Sequence, residues 1–186
     1  MLDRFSRGIV VPSRVVFFMW ALFFLELTFH VDLARFGILP RTGIGLLGIV
    51  TFPLLHGSVG HLVSNTMPLL FLGTALYMFY DRIADRVFLQ CYFLTGILVW
   101  ILGRTSIHIG ASGLIYGLAS FLIFIGFFRQ DFRSILISLI VIFIYSGLFY
   151  GLLPIQSGVS WESHLFGGIV GFLSAVNAGK IQRVSS

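Results

Sequence analysis

A serine hydroxyl beside an imidazole is a unit of acyl-transfer chemistry, and this sequence can assemble one from two distant segments. Gly110-Ala-Ser112-Gly113 would present Ser112 on a turn at a helix start, where free backbone N–H groups point outward. His164 opens a later apolar stretch. A hydroxyl is a weak nucleophile at neutral pH until an adjacent base takes its proton, and imidazole, with an unperturbed pKa of about 6.5, suits that role. The tetrahedral intermediate of acyl transfer then needs donors aimed at its oxyanion. His61 and Asn65, four residues apart and so on one helix face, are available for that. Taken singly, Ser112 reads better as a helix-start or small packing residue than as a nucleophile, and His61, Asn65 and His164 could serve as interhelical hydrogen-bonding groups. The case for chemistry depends on what brings them together.

The elements that must do so are membrane spans. The chain has 186 residues, 58% of them hydrophobic and 10% charged, with a mean hydropathy of +1.01. A soluble domain is about 45–50% apolar and about 25% charged, and a small globule has too little interior to hide this many Phe, Leu and Ile side chains. A bilayer core about 30 Å thick needs roughly 20 mostly apolar helical residues. Six segments meet or approach that: 14–31, 60–80, 87–102, 112–128, 135–151 and 164–178. The expected fold is therefore all-α, a single polytopic domain over 1–186. The breaks fall at Asp81 to Arg86, around Arg104 to Gly110, at Arg129 to Arg133 and at Leu153 to Ser160. The first apolar run, Val15 to Phe29, is followed by His30, Val31, Asp32 and Leu33 with no small-x-small cleavage site, so it reads as a retained span and not as a signal peptide.

Lys and Arg placement orients the bundle. With the N-terminus inside, the inner segments hold Arg4, Arg7, Arg14, Arg82, Arg86, Arg129, Arg133, Lys180 and Arg183, against Arg35, Arg41 and Arg104 outside, nine to three. Both termini then face the cytoplasm, as expected of a multi-pass protein of the plasma (inner) membrane. The second, fourth and sixth spans enter from the outer surface, which puts His61, Ser112 and His164 at one shallow depth. Gly167 and Gly171 follow His164 at offsets of three and seven, and Gly113 with Gly117 makes a matching strip on the fourth span. Small residues at that spacing let helix backbones approach closely, so these two spans should pack together and bring Ser112 near His164.

The set His56-Gly-Ser-Val-Gly-His61-Leu-Val-Ser-Asn65, Gly110-Ala-Ser112-Gly-Leu-Ile-Tyr116-Gly117 and His164-Leu-Phe-Gly167-Gly-Ile-Val-Gly171 resembles the rhomboid family of intramembrane serine proteases, in its minimal six-span bacterial form. The resemblance implies that Ser112 is the nucleophile and His164 the general base of a dyad without the usual third carboxylate. It implies an oxyanion hole of His61, Asn65 and the Ser112 amide. Tyr116 would stack on His164, His56 would support the site without being catalytic, Gly110 and Gly113 would shape the turn that presents Ser112, and Gly167 and Gly171 would permit the helix crossing. Substrates would be single-span membrane proteins cut in or near their transmembrane segments on the extracytoplasmic side. Entry would be lateral, past the fifth span and beneath a cap at Leu153 to Ser160, where Pro154, Ser157 and Gly158 have the composition of a mobile loop. The family's first outer loop often carries a Trp-Arg pair. Here the tryptophans are Trp20, Trp100 and Trp161, and the loop from Asp32 to Phe52 offers only Arg41-Thr42.

Other chemistries fit less well. A non-catalytic rhomboid-like protein that binds transmembrane helices is the alternative, but such proteins usually lack Ser112 or His164 equivalents. A transporter or channel would need polar groups along a path across the membrane and paired broken helices. His56, His61 and His164 lack the acidic or cysteine partners and the His-Glu-x-x-His spacing of a zinc protease, so neither metal nor cofactor is expected. The charges fall singly between apolar runs, which excludes a nucleic-acid surface, and Cys91 has no partner for a disulfide. Glu26 should accept hydrogen bonds from the first loop or pair with an outside Arg. His30, His108 and Glu162 lie near interfaces and should be solvated or structural.

Overall fold

The computed structural model describes the backbone of residues 2–153 and 160–184. Seven helices follow in order: α1 (Leu2–Phe29), α2 (Gly43–Thr51), α3 (Val59–Phe79), α4 (Asp81–Leu102), α5 (Ser112–Arg129), α6 (Phe132–Tyr145) and α7 (Trp161–Val184), with short 3-10 turns at Ala34–Phe36, Phe52–Leu54 and Ser146–Leu152. Among the described residues there is no strand, only an isolated antiparallel bridge between Ile38 and His108. The fold is an all-α polytopic bundle. Among the described residues four stretches are long and apolar enough to cross a membrane by length and composition: Gly8–Phe29 of α1, then α3, α4 and α5. The fifth expected span is instead a 14-residue helix, α6, prolonged by the 3-10 turn at Ser146–Leu152.

Large apolar side chains such as Phe17, Phe29, Met67, Phe127, Phe132 and Phe143 stand exposed around the bundle. A soluble monomer does not present so extensive an apolar surface, and the chain is an integral membrane protein.

α5 is the central helix, packed on α3, α4, α6 and α7, while α1 covers α3 and α2 covers α4. Its glycines decide how closely the neighbours come. A Cβ at Gly167 or Gly171 would run into the carbonyl of Gly113 or Gly117 respectively, so α5 and α7 touch backbone to backbone along the small-residue strip. The Ser120 hydroxyl adds a 2.7 Å bond to the Gly168 carbonyl across the same interface. At the other end of α5, Gly126 lies against Ser134 and Ser138 of α6, and the Ser138 hydroxyl donates at 2.9 Å to the Leu122 carbonyl.

Several boundaries differ from the sequence expectation. The polar run Asp81 to Arg86 is no break: Tyr80 alone turns the chain between α3 and α4, and Asp81 occupies the first turn of α4, where a carboxylate favours the positive helix end. The break at Arg129 to Arg133 shrinks to Gln130 and Asp131. Gln130 takes the left-handed conformation that ends α5, and the Asp131 carboxylate caps α6 by accepting from the Ser134 amide. α1 starts well before residue 14. Of the expected cap at Leu153 to Ser160, residues 154–159 lie outside the described residues.

The first outer loop, Asp32 to Phe52, contains a helix, α2. It is clasped to the end of α4. The Arg41 guanidinium donates to the carbonyls of Ile101 (3.2 Å) and Gly103 (2.8 Å) and to the Thr105 hydroxyl (3.1 Å), taking up carbonyls that a helix end leaves unpaired. The Trp100 indole donates to the Thr42 carbonyl at 2.9 Å.

Candidate active site

The site lies where α3, α5 and α7 begin. Gly110 precedes α5 with φ at +109°, a conformation that suits glycine. A Cβ there would also come within 2.6 Å of the His61 ring. Its amide is tied to the Phe52 carbonyl at 2.7 Å. Ala111 caps α5 with no side-chain hydrogen bond, so the first amides of the helix, beginning with that of Ser112, have no intrahelical acceptor. Ser112 is half-buried.

The Ser112 hydroxyl and His164 Nε2 are 2.8 Å apart, and His164 Nδ1 is 2.7 Å from the Gly151 carbonyl oxygen. A carbonyl only accepts, so Nδ1 carries the ring proton and Nε2 keeps its lone pair towards Ser112. The sequence reading assigned nothing to Gly151, because an orienting main-chain carbonyl has no residue-type signature. Glycine is nevertheless required there: a Cβ would strike the Tyr116 hydroxyl and lie 3.1 Å from His164 Nδ1. The Tyr116 ring stacks on that of His164, with centroids 4.2 Å apart and planes 5° from parallel.

On the other side of Ser112, His56 fixes Asn65. His56 Nδ1 faces the Leu54 carbonyl at 3.3 Å, so its Nε2 is an acceptor, and the Asn65 group 3.1 Å from it must be the amide nitrogen. The second N–H of that amide remains for another acceptor. The His56 and His61 rings meet edge to face at 4.9 Å. Burial, followed by the neighbouring His61, pushes the His56 pKa down to about 4, so His56 is neutral at neutral pH. Both Asn65 and His164 are buried.

Every residue singled out for chemistry therefore lies in one cluster: Ser112, His164, His61, Asn65, Tyr116 and His56, with Gly110, Gly113, Gly167 and Gly171 where backbones come together. Among the described residues no group of three His, Cys, Asp or Glu side chains is placed to hold a metal. Glu26 accepts from the Leu33 amide at 3.4 Å. His30 is exposed. His108 and Glu162 are not solvated: they are 1% and 3% exposed, and Glu162 pairs with Arg104 at 3.3 Å.

An apolar helical bundle with a hydrogen-bonded Ser–His pair near one end defines a polytopic membrane protein with a candidate hydrolytic site. A family model described as the Rhomboid domain matches residues 45–180, and the chain belongs to the rhomboid family. It is 34% identical over 183 residues to an uncharacterized protein of Mycobacterium tuberculosis, covering 91% of this chain and 75% of that protein. An uncharacterized protein of Mycobacterium leprae is 34% identical over 188 residues, 93% of this chain and 73% of its own. RHOMBOID-like protein 4 of Arabidopsis thaliana is 32% identical over 123 residues, 64% of this chain and 30% of that protein.

Proposed function

We propose that the protein is an intramembrane serine endopeptidase that cuts transmembrane segments of single-span membrane proteins near the extracytoplasmic side. The observation that carries this reading is the 2.8 Å contact between Ser112 Oγ and a His164 ring whose Nδ1 is held by the Gly151 carbonyl. In that tautomer Nε2 accepts the Ser112 proton as Oγ attacks the scissile carbonyl carbon. The imidazolium that forms keeps its Nδ1–H on the Gly151 carbonyl dipole, and the Tyr116 stack holds the ring plane. Negative charge on the substrate oxygen is met by the Ser112 amide, the free N–H of Asn65 and His61. As the C–N bond breaks, Nε2 returns the proton to the leaving amine. A water then attacks the acyl-enzyme, giving its proton to Nε2, and Ser112 recovers it as the ester bond breaks.

Hydrolysis needs water within reach of the acyl-enzyme. A site at the helix ends, with Ser112 only half-buried, meets that need while the apolar bundle faces lipid. Both termini are assigned to the cytoplasm on the distribution of basic residues, and the protein to the plasma (inner) membrane on its resemblance to the bacterial rhomboid form.

Replacement Ser112→Ala is expected to lower cleavage of a model transmembrane substrate by about 10³-fold or more, with the variant still accumulating in the membrane. Undiminished cleavage overturns the reading. Wild-type protein should also react with a fluorophosphonate probe at Ser112. A wild type that never reacts, yet retains transmembrane helices, would point to a non-catalytic rhomboid-like binder.

A further inference from the structure

The two segments that carry the dyad are joined a second time. His108 precedes Ser112 by four residues and Ser160 precedes His164 by four, and His108 Nδ1 lies 2.5 Å from the Ser160 hydroxyl. The residue types are exchanged, with histidine on the α5 side and serine on the α7 side. Proton placement in this pair follows from its surroundings. His108 Nε2 faces the Arg104 carbonyl at 3.0 Å, so the ring proton is on Nε2 and Nδ1 must accept from Ser160. The Ser160 proton is then committed, and the Ser163 hydroxyl, 2.6 Å away, must donate to Ser160. The resulting chain runs in one direction, from Ser163 to Ser160 to His108, and starts one residue from His164.

Both ends are anchored. The His108 amide and carbonyl exchange hydrogen bonds of 2.9 and 3.0 Å with Ile38, which fixes its backbone on the first outer loop. On α7, Glu162 is held by the Arg104 guanidinium at 3.3 Å and accepts from the Arg104 amide at 3.4 Å. His108 and Ser163 are 1% and 2% exposed. Along the Ser163–Ser160–His108 chain each hydroxyl and both ring nitrogens have partners, and a satisfied buried chain specifies one arrangement because a shift leaves a polar group unpaired.

We propose that His108 and Ser160 are positioning residues, a second Ser–His cross-link that holds the start of α7 where His164 Nε2 meets Ser112. Neither would touch the substrate. A misplacement of about 1 Å in a reacting pair can cost about 10²-fold in rate, and the α7 start is tied to the loop before α5 by this chain and by the Glu162–Arg104 pair, with His164 bonded to Ser112 at the start of α5 itself. Burial, first of all, holds the His108 pKa below its ordinary value, against the raising effect of the Arg104 carbonyl and Glu162, which is consistent with a neutral ring accepting from Ser160.

The inference rests on the protease reading, and its test separates the two. In proteoliposomes with a transmembrane substrate, Ser160→Ala and His108→Leu are each expected to lower kcat about tenfold or more, with KM within about twofold of wild type. The double variant should be no slower than the slower single one, because both remove the same bond. His108→Asn, whose Oδ1 can replace Nδ1 as acceptor, should recover most of the rate. Should His108→Leu fail to fold, Ser160→Ala, which removes only a hydroxyl, decides alone through its fluorophosphonate labelling rate per folded molecule. A wild-type kcat in Ser160→Ala overturns the proposal, as do losses that multiply in the double variant or that fall in KM. If wild type itself is no more reactive than Ser112→Ala, the protease reading fails and this inference falls with it.

Discussion

Ser112 and His164 need a third partner that fixes the imidazole, and here that partner is a main-chain carbonyl. On the other side of Ser112 the corresponding task falls to His56, which holds the Asn65 amide nitrogen only while its own Nε2 is unprotonated. That dependence has a sign. The folded protein holds His56 at about 4, against an ordinary value of 6.5. Above pH 6.5 both folded and unfolded rings are neutral and the stabilisation is fully present. As pH falls from there towards about 4, the unfolded chain takes up a proton that the folded one refuses, and up to about 3 kcal/mol of stability is lost. Thermal denaturation of detergent-solubilised protein between pH 7 and pH 4 should show this decline, and His56→Gln should flatten it. An unchanged slope in the variant would mean that His56 is not the buried neutral group described above. Much of this site is legible in residue types: Ser112, His164, His61 and Asn65 have side chains whose chemistry announces itself. Gly151 was not legible, because its contribution is a carbonyl that every residue possesses. His108 was not either, since nothing in an isolated histidine near an interface distinguishes a buried cross-link from a solvated side chain.

At the scale of elements, the site depends on how closely α5 and α7 approach. Gly167 and Gly168 are adjacent, yet they face different surroundings. A Cβ at Gly167 would collide with the Gly113 carbonyl, one residue beyond Ser112, whereas a Cβ at Gly168 meets nothing within 4 Å. Gly167→Ala should therefore push the helices apart, destabilising the protein by about 1–3 kcal/mol and lowering cleavage tenfold or more. Gly168→Ala should leave packing unchanged and gain up to about 1 kcal/mol from helix propensity. Equal melting points and rates for the two variants would refute this account of the interface. The four-residue glycine spacing was readable because it is a helical period. The boundaries were less so. Asp81 to Arg86 is polar, and polarity alone does not separate a loop from the first turns of a helix that extends beyond the apolar layer. α2 was hidden for the opposite reason: Gly43 to Thr51 is apolar but too short to span, and its glycines suit close packing on Gly37 and Leu39 as well as they suit a loop.

Over the whole molecule the scarce charges divide by end. Arg82 and Arg86 at the start of α4, Arg129 at the end of α5 and Arg133 at the start of α6 lie at the end remote from the site, and Arg35, Arg41 and Arg104 lie near it. Positive residues in short loops favour the cytoplasmic side, so the site should face outward. The chain's sole cysteine, Cys91, is buried between α4 and α5 and should be silent to thiol reagents, which allows the orientation to be read with two introduced cysteines. Thr105 and Asp81 are exposed at opposite ends of α4, and neither substitution removes a basic residue. In intact cells a membrane-impermeant maleimide should label Thr105→Cys, and should label Asp81→Cys only after permeabilisation. The reverse pattern would place Ser112 and His164 on the cytoplasmic side, and labelling of both without permeabilisation would mean that the chain inserts in two orientations. Either result would overturn cleavage at the extracytoplasmic face while leaving the chemistry of the dyad to be judged by Ser112→Ala.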